Sequence, residues 1–548
     1  MRIALIVPKS SVEGAKSFYD NVFHSRFLLS KKYVSCLLAI PTLAALTPAE
    51  HELRVFDENV EEIDFDWPAD LVGISVMTMF APRAYEICAE YRARGIRTVL
   101  GGIHPSMMPQ EALDYADSVV VGEAEEIWPV VLQDARAGKL RRTYQVDRLA
   151  DLTHSPAPDR TALRRGRYFT DSVQTTKGCP FCCEFCSVHA FDGQRIRHKS
   201  VEQVVREIRD IQSSPSRYKK KKAVFFADDN LIADMAFARE LVDALEPLRI
   251  NWMCQASVNV AQDEDLLRRM RRSGCGAIFI GFESISAENL GQMHKAVNKK
   301  HDYTQVIDAI QSHGMLVQAS FILGYDSDTT ETFDELIDFV ARHHLFAPVF
   351  NVLTPFPGTK LFVRLKAEER ILHEDWSRYD TRHAVFAPAR MSPDELEDGY
   401  RRVVQKVYSF ESIIERLRHY WRIDFWKEHN RLDPVKLKYR LLFAARLCTL
   451  LASHNAERST FIIAMLPRVF DPRVRVSSIL ALMAYNDFAC SLGAPERTYE
   501  TTKIEDRDPG LPGLQYLLAH RQPDDGAGTG VRGHIGQRPR GLGRRGHR

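Results

Sequence analysis

No stretch of about 18 consecutive apolar residues occurs among the 548, so no helix is expected to span a bilayer. Charge of one sign is not in excess either. The 74 Lys and Arg face 72 Asp and Glu, and a net charge of +2 makes no general case for nucleic-acid binding. The opening Met1-Arg-Ile-Ala-Leu-Ile-Val7 has neither the apolar length nor the small-residue cleavage site of a secretory leader, and it reads as a strand. A disulfide framework is missing as well. Of ten cysteines, six (Cys36, Cys88, Cys254, Cys275, Cys448 and Cys490) are scattered through apolar runs and read as small core residues. That usage fits a reducing compartment, and a cytoplasmic location is expected. What remains is an ordinary globular composition, 45% hydrophobic and 27% charged, in a chain long enough for three or more domains.

The other four cysteines fall within eight residues, in Gln174-Thr-Thr-Lys-Gly-Cys179-Pro-Phe-Cys182-Cys183-Glu-Phe-Cys186. Cys179, Cys183 and Cys186 have the spacing C-x3-C-x2-C, and Cys182 does not fit it and reads as a bystander. Three thiolates on one loop can hold three irons of a cubane and leave the fourth open, whereas most ferredoxin sites use four cysteines and a structural zinc closes its shell with four ligands. A zinc knuckle or a chance cluster of thiols stays as the alternative. The short β-like run Val173–Thr176 precedes the loop, Lys177-Gly178 makes the turn, and Phe185 stands before the last cysteine. In these features the chain resembles the radical S-adenosylmethionine (radical-SAM) superfamily. The resemblance implies a [4Fe–4S] cluster whose open iron chelates S-adenosylmethionine, giving a deoxyadenosyl radical on reduction by an external flavodoxin- or ferredoxin-type donor.

Residues 1–150 read as an open α/β domain. Apolar strands at 3–7, 53–56, 71–76, 98–100 and 119–121 alternate with helical stretches at 33–46, 82–94 and about 124–137. Ligands of such sheets sit beyond the carboxyl ends of strands, which here carry Ser75, Thr78, Gly101 and Gly102. A domain of this kind ahead of a radical-SAM core resembles the cobalamin-binding branch of the superfamily. The resemblance implies that Ser75, Thr78, Gly101 and Gly102 contact the cobalamin nucleotide tail. The D-x-H-x-x-G motif that supplies an axial histidine in many cobalamin proteins is absent after the first strand, at Pro8-Lys9-Ser10-Ser11, which leaves the axial ligand open. His104 is expected to be polar and exposed rather than a ligand. A degenerate Rossmann-like domain that binds nothing is the alternative.

A Pro-rich linker, residues 151–170, contains Pro156 and Pro158 and disfavours helix. From 171 to 390 six strands alternate with five helices. Strands are expected before the cysteines and at 223–227, 252–258, 277–282, 317–323 and 349–353, which suits a partial (β/α)6 barrel with its polar groups at the strand C-termini. The radical-SAM resemblance assigns Asp228, Asp229 and Asn230 to the amino group of S-adenosylmethionine. It assigns Glu283 and Ser284 to the ribose or methionine moiety, Gly324 with Glu331 to the adenine, and Pro355–Gly358 to the loop closing the sixth strand. Each of these could instead be a helix cap. Lys219–Lys222 reads as a solvated loop, and Arg195-Ile-Arg197 as a surface strand or a site facing an anion.

Residues 391–520 read as helical, opening at Ser392-Pro-Asp-Glu395 with an N-cap, a proline and acids in the first turn. Residues 401–470 hold 14 Lys and Arg against 6 Asp and Glu, interleaved with Tyr420, Trp421, Phe425, Trp426, Tyr439 and Phe443. Such a surface suits peripheral contact with an anionic membrane, or packing on the barrel with its charges in water. Residues 521–548, rich in Gly and Arg, are expected to be disordered. The helical end resembles the branch of hopanoid and bacteriochlorophyll side-chain methylases. The implied activity is methylation of an unactivated carbon of a small molecule (a lipid, a tetrapyrrole or another secondary metabolite), with cobalamin carrying the methyl group. Without methyl transfer, the same architecture would serve as an oxidative cyclase or rearranging enzyme. A non-catalytic iron–sulfur protein is the alternative from another class. A methylthiotransferase is disfavoured because the N-terminal region lacks a second cysteine triplet.

Overall fold

The computed structural model describes residues 1–9, 35–145, 148–213, 223–423, 425–427, 437–451, 456–471 and 474–492. The Lys219–Lys222 loop, residues 33 and 34, residues 493–520 of the expected helical end and the tail 521–548 lie outside these residues; the helix expected over 33–46 begins only at Ala39, residues 35–38 being non-helical.

The first sheet has six parallel strands, β1 (Arg2–Val7), β2 (Glu52–Asp57), β3 (Leu71–Ser75), β4 (Arg97–Gly101), β5 (Ser118–Val121) and β6 (Thr143–Gln145), in the order β2-β1-β3-β4-β5-β6. β1 shows why its sequence is a continuous apolar run. Ala4 and Ile6 enter one hydrophobic cluster, while Ile3, Leu5 and Val7 enter another, so helices cover both faces. Helix Ala81–Ala93 contributes Tyr85, Cys88 and Tyr91 to the first cluster, and helix Trp128–Arg136 contributes Trp128 and Val131 to the second. β6 was not legible as a strand, because only Tyr144 of its three residues is buried.

The second sheet runs β14-β13-β12-β11-β10-β7. It joins β7 (Asp171–Val173), β10 (Ala223–Phe226), β11 (Asn251–Ala256), β12 (Cys275–Glu283), β13 (Leu316–Leu323) and β14 (Val349–Val352), all parallel. Helices Val201–Ser213, Met235–Leu245, Glu264–Ser273, Tyr303–Ser312 and Thr330–Arg342 lie between them, which is the expected six strands and five helices. Two expectations need correcting. β11 stops at Ala256, and Val258–Gln262 is a 3₁₀ turn rather than strand. The run Val173–Thr176 is not one strand, since β7 ends at Val173 and Thr176–Lys177 forms a separate strand, β8, antiparallel to β9 (Arg197–His198). This two-strand ribbon frames the cysteine loop.

The linker carries 3₁₀ turns at Leu152–His154 and Arg160–Ala162. Arg160 is buried, donating to Ser172 O and pairing with Glu207, which anchors the linker to the barrel. In the C-terminal helices, Ser392 and Glu395 form the capping box the sequence announces. The buried Arg416 donates to the carbonyls of Leu345 (3.0 Å) and Phe346 (2.8 Å), fixing helix Phe410–Arg422 to the segment before β14. Cys36, Cys88, Cys254 and Cys275 are buried as expected, but Cys448 and Cys490 are exposed, because their helices turn those positions outward. Among the described residues, no helix is long and apolar enough to cross a membrane.

Candidate functional site

The cysteine loop is held from four directions. At its start, Gly178 has φ +90° and lies so close to Arg195 O that a side chain there would collide with it. Cys179 N–H donates to Gly193 O (3.2 Å), closing the ribbon. Inside the loop, Glu184 N–H donates to Met293 O (3.2 Å), Glu184 O accepts from Leu361 N–H (2.9 Å), and its buried carboxylate pairs with Arg364 (2.9 Å). Cys179, Cys183 and Cys186 are half-buried. Burial pushes Cys183 up to about 11 and Cys186 up to about 12, so positive charge at the loop is needed to hold them as thiolates. Lys295 is the protein cation whose charge acts on all three. Cys182 instead accepts a contact from Gln194 Nε2 (2.8 Å). Among the described residues, no three His, Cys, Asp or Glu converge on a position for a single metal ion, as a zinc knuckle requires.

Beside the loop, the Asp228-Asp229-Asn230 triplet at the end of β10 separates into three roles. Asp228 is fully buried, and its Oδ1 accepts from the backbone N–H and hydroxyl groups of both Thr175 and Thr176. Those bonds break the run Val173–Thr176 and turn the chain into the ribbon. Asn230 is tied to Ser257, accepting from its N–H (3.1 Å) and donating to its hydroxyl (3.0 Å). Asp229 Oδ2 is buried without a partner, as is the second oxygen of Asp228, Oδ2. Burial, with Asp192 and Asp228 nearby, pushes Asp229 up to about 7.

At the end of β12, Glu283 adopts φ +65°, and the register with β13 shifts there. Its carboxylate pairs closely with Lys295, with side-chain exposures of 9% and 13%. Ser284 accepts from Ser286 N–H (3.1 Å), a local turn contact. Gly324 N–H donates to Asp328 (2.8 Å). Glu331 is exposed in the first turn of its helix, bonded to Thr329, so its assignment to the adenine is corrected to a helix-terminal carboxylate.

On the first sheet, Ser75 and Gly101 are paired neighbours at the ends of β3 and β4, and Ser75 and Thr78 are buried. Gly102 has φ +96°, and a Cβ there would stand 2.9 Å from both N and O of Val76. His104 corrects the expectation of exposure. It is fully buried, with Nε2 at 3.0 Å from Tyr85 Oη and 3.7 Å from Glu111, and it stands edge-on to Trp376 from beyond the barrel. Trp376 Nε1 donates to Glu111 (2.7 Å).

A second join between the domains was not foreseen. Glu123, just after β5, accepts two bonds from Arg197 (2.8 and 2.9 Å) and one from Ala150 N–H (2.7 Å). Lys177, two residues before Cys179, reaches Glu123 (3.2 Å) and Glu125 (2.5 Å). Arg197 is therefore neither a surface residue nor free for an anion. Strand-end charges were visible in the sequence, but their partners across domains were not.

Comparison with known proteins agrees with this architecture. Residues 173–340 match the radical SAM superfamily, residues 43–132 a B12 binding domain, and residues 359–490 a domain of unknown function. The bacteriochlorophyllide d C-12(1)-methyltransferase of Chlorobaculum tepidum is 31% identical over 70% of this chain and 85% of its own. This chain belongs to the cobalamin-binding radical-SAM family. Another relative of this radical-SAM enzyme, the hopanoid C-2 methylase of Rhodopseudomonas palustris, is 29% identical over 61% of this chain and 64% of its own. The cobalamin-dependent radical enzyme OxsB shares the fold, with a TM-score of 0.58 at 13% identity over 90% of this chain and 79% of that one. The cofactors of the enzyme are a [4Fe–4S] cluster, S-adenosylmethionine and cobalamin.

Proposed function

We propose that this radical-SAM enzyme methylates an unactivated carbon of a small, largely apolar molecule, of tetrapyrrole, hopanoid or related secondary-metabolite type. The observation that supports this most is the grip of Glu123 and Glu125, at the carboxyl edge of the cobalamin-domain sheet, on Lys177 at the threshold of the cysteine loop. It ties the carboxyl edge of the first sheet to the start of the cysteine loop. Cys179, Cys183 and Cys186 would hold the cluster. The partnerless oxygen of Asp229 suits an ammonium donor, and Glu283 with Lys295 offers one acceptor and one donor for the zwitterionic end or the ribose of S-adenosylmethionine. Asp228, Asn230, Ser284 and Gly324 would shape this pocket through the backbone contacts given above. Ser75, Thr78, Gly101 and Gly102, short side chains at strand ends, would accept the cobalamin tail along the backbone. Bound together, the cofactors supply the radical and the methyl group, and the protein orients them and excludes water.

The electron donor would be an external flavodoxin or ferredoxin. The C-terminal helices would make peripheral contact with an anionic membrane. Exposed Leu437 and Leu441 lie one turn apart, and the buried Arg440 ties their helix to the Asp471 carbonyl (3.1 Å), beside exposed Phe470.

The test is anaerobic turnover with bacteriochlorophyllide d and with a hopanoid, read by mass. A gain of CH2 in either supports methyl transfer. Conversion without that gain would indicate a cyclase or rearranging reaction, and no conversion of either would remove both substrate classes.

A further inference from the structure

The alternation of side chains along the second sheet separates a packed face from an open one. Phe282 lies against Tyr303 and Phe321 against Phe339, so these strand residues face the helical layer. The intervening residues therefore face the barrel lumen. Phe225, Met253, Phe279 and Ile322 lie on this side, together with the amides of Gln255 and Gln318, and all six are only half-buried. The lumen is not filled by its own side chains, as that of a closed eight-strand barrel is. No charged side chain points into it from β10 to β14 until Glu283 at the end of β12.

One polar chain crosses this surface. Thr381 Oγ1 donates to Asn351 Oδ1 (3.2 Å), and Asn351 Nδ2 donates to Ser320 Oγ (3.3 Å). Ser320 and Asn351 both belong to the lumen face of adjacent strands, by the register of Ser320 with Val349 and Ile322 with Asn351. Thr381 closes the chain from the segment that runs along the free edge of β14, where its carbonyl accepts from Val352 N–H (2.7 Å). It adopts φ +65°, a strained conformation for a β-branched residue that persists where surrounding structure imposes it, often at functional sites. Asp380 imposes it here, accepting from the backbone and side chains of Arg382 and His383. Along the chain, hydrogens pass from Thr381 to Asn351 to Ser320, so the hydrogen of Ser320 Oγ is left to donate.

The geometry points to Ser320, Asn351 and Thr381 as a substrate-orienting site, which donates a hydrogen bond to an oxygen on an otherwise apolar, uncharged part of the substrate. This rests on the proposed action on a small-molecule carbon and adds which chemistry the lumen accepts. A tetrapyrrole keto group and a hopanoid hydroxyl share that chemistry. Strands β10 to β14 bring no cation to pair a carboxylate or phosphate buried against their lumen face, and burying one unpaired would be costly.

The test is equilibrium dialysis of the anaerobically purified holoenzyme against bacteriochlorophyllide d, a hopanoid alcohol and the hydrocarbon hopene. Wild type is compared with Ser320→Ala and Thr381→Val, with iron content and S-adenosylmethionine affinity as folding controls. One oxygenated probe should bind saturably, and each variant should bind it about 5- to 10-fold more weakly, the effect of one neutral hydrogen bond. Hopene binding should not change between wild type and variants. Equal binding of the oxygenated probe by all three proteins would overturn the site. So would no saturable binding of either oxygenated probe by an enzyme that still releases deoxyadenosine. Failure to release deoxyadenosine at all would instead sink the radical-enzyme reading on which the site rests.

Discussion

Glu123, just after β5, and Arg197 of the β8–β9 ribbon form a two-pronged ion pair, each carboxylate oxygen meeting one guanidinium nitrogen at 2.8 and 2.9 Å. Burial alone would raise the carboxyl, but Arg197 and Lys177 hold it below its ordinary range. A pair this buried costs much more to break than to replace, so Glu123→Ala should destabilise the protein by about 3–5 kcal/mol. The double variant Glu123→Ala/Arg197→Met should recover much of that. Denaturant unfolding of the apoprotein would show it, and equal losses in the single and double variants would mean the pair is not coupled.

The cysteines differ by position in the loop. Cys183→Ala should abolish the cluster, while Cys182→Ala should keep it, because Cys182 turns towards Gln194. Iron and sulfide analysis of reconstituted protein decides this, and equal iron loss in the two variants would refute the ligand assignment.

Lys295→Met leaves the Glu283 carboxylate buried and unpaired. Loss of roughly 3 kcal/mol of stability is expected, with Lys295→Met/Glu283→Leu closer to wild type. Thermal unfolding of the three proteins measures it.

Asp380 gives a pH signature. Burial would raise its carboxyl, but His383 and Arg382 hold it down at about 2. Its folded pKa is below the unfolded value, so its contribution of about 2 kcal/mol is complete above pH ~4 and is lost as pH falls through about 2. Asp380→Asn should therefore be less stable than wild type at pH 7. That deficit should shrink between pH 4 and pH 2, as followed by urea unfolding across that range.

How far the sequence reaches is clearest at three places. The strands β10 to β14 were legible because each is a short apolar run ended by a polar or glycine residue. The cysteine triplet stands out in the sequence because its three residues lie within one short loop. The roles of Asp228 and His104 were not. Whether a strand-end aspartate serves a ligand or the Thr175 and Thr176 amides depends on a partner some fifty residues away. Likewise, His104 is covered in part by Trp376, far along the chain. Lys295 and Thr381 had no local signal at all, since a lysine on a helical turn and a threonine in a loop are ordinary until φ and contacts are known.

The C-terminal surface predicts that the enzyme sediments with vesicles containing anionic phosphatidylglycerol and not with neutral phosphatidylcholine vesicles. Leu441→Ser/Phe470→Ser should weaken sedimentation at least several-fold. Binding that ignores lipid charge, or that survives both substitutions, would count against a membrane role for these helices.

The most direct measurement is the fate of S-adenosylmethionine itself. Holoenzyme loaded with cobalamin, reduced without oxygen and given S-adenosylmethionine and a candidate substrate should form two products. Deoxyadenosine reports the radical step and S-adenosylhomocysteine the methyl donation, and both should rise with methylated product. Deoxyadenosine without S-adenosylhomocysteine, from protein containing both cluster and cobalamin, would contradict methyl transfer and leave radical chemistry of another kind.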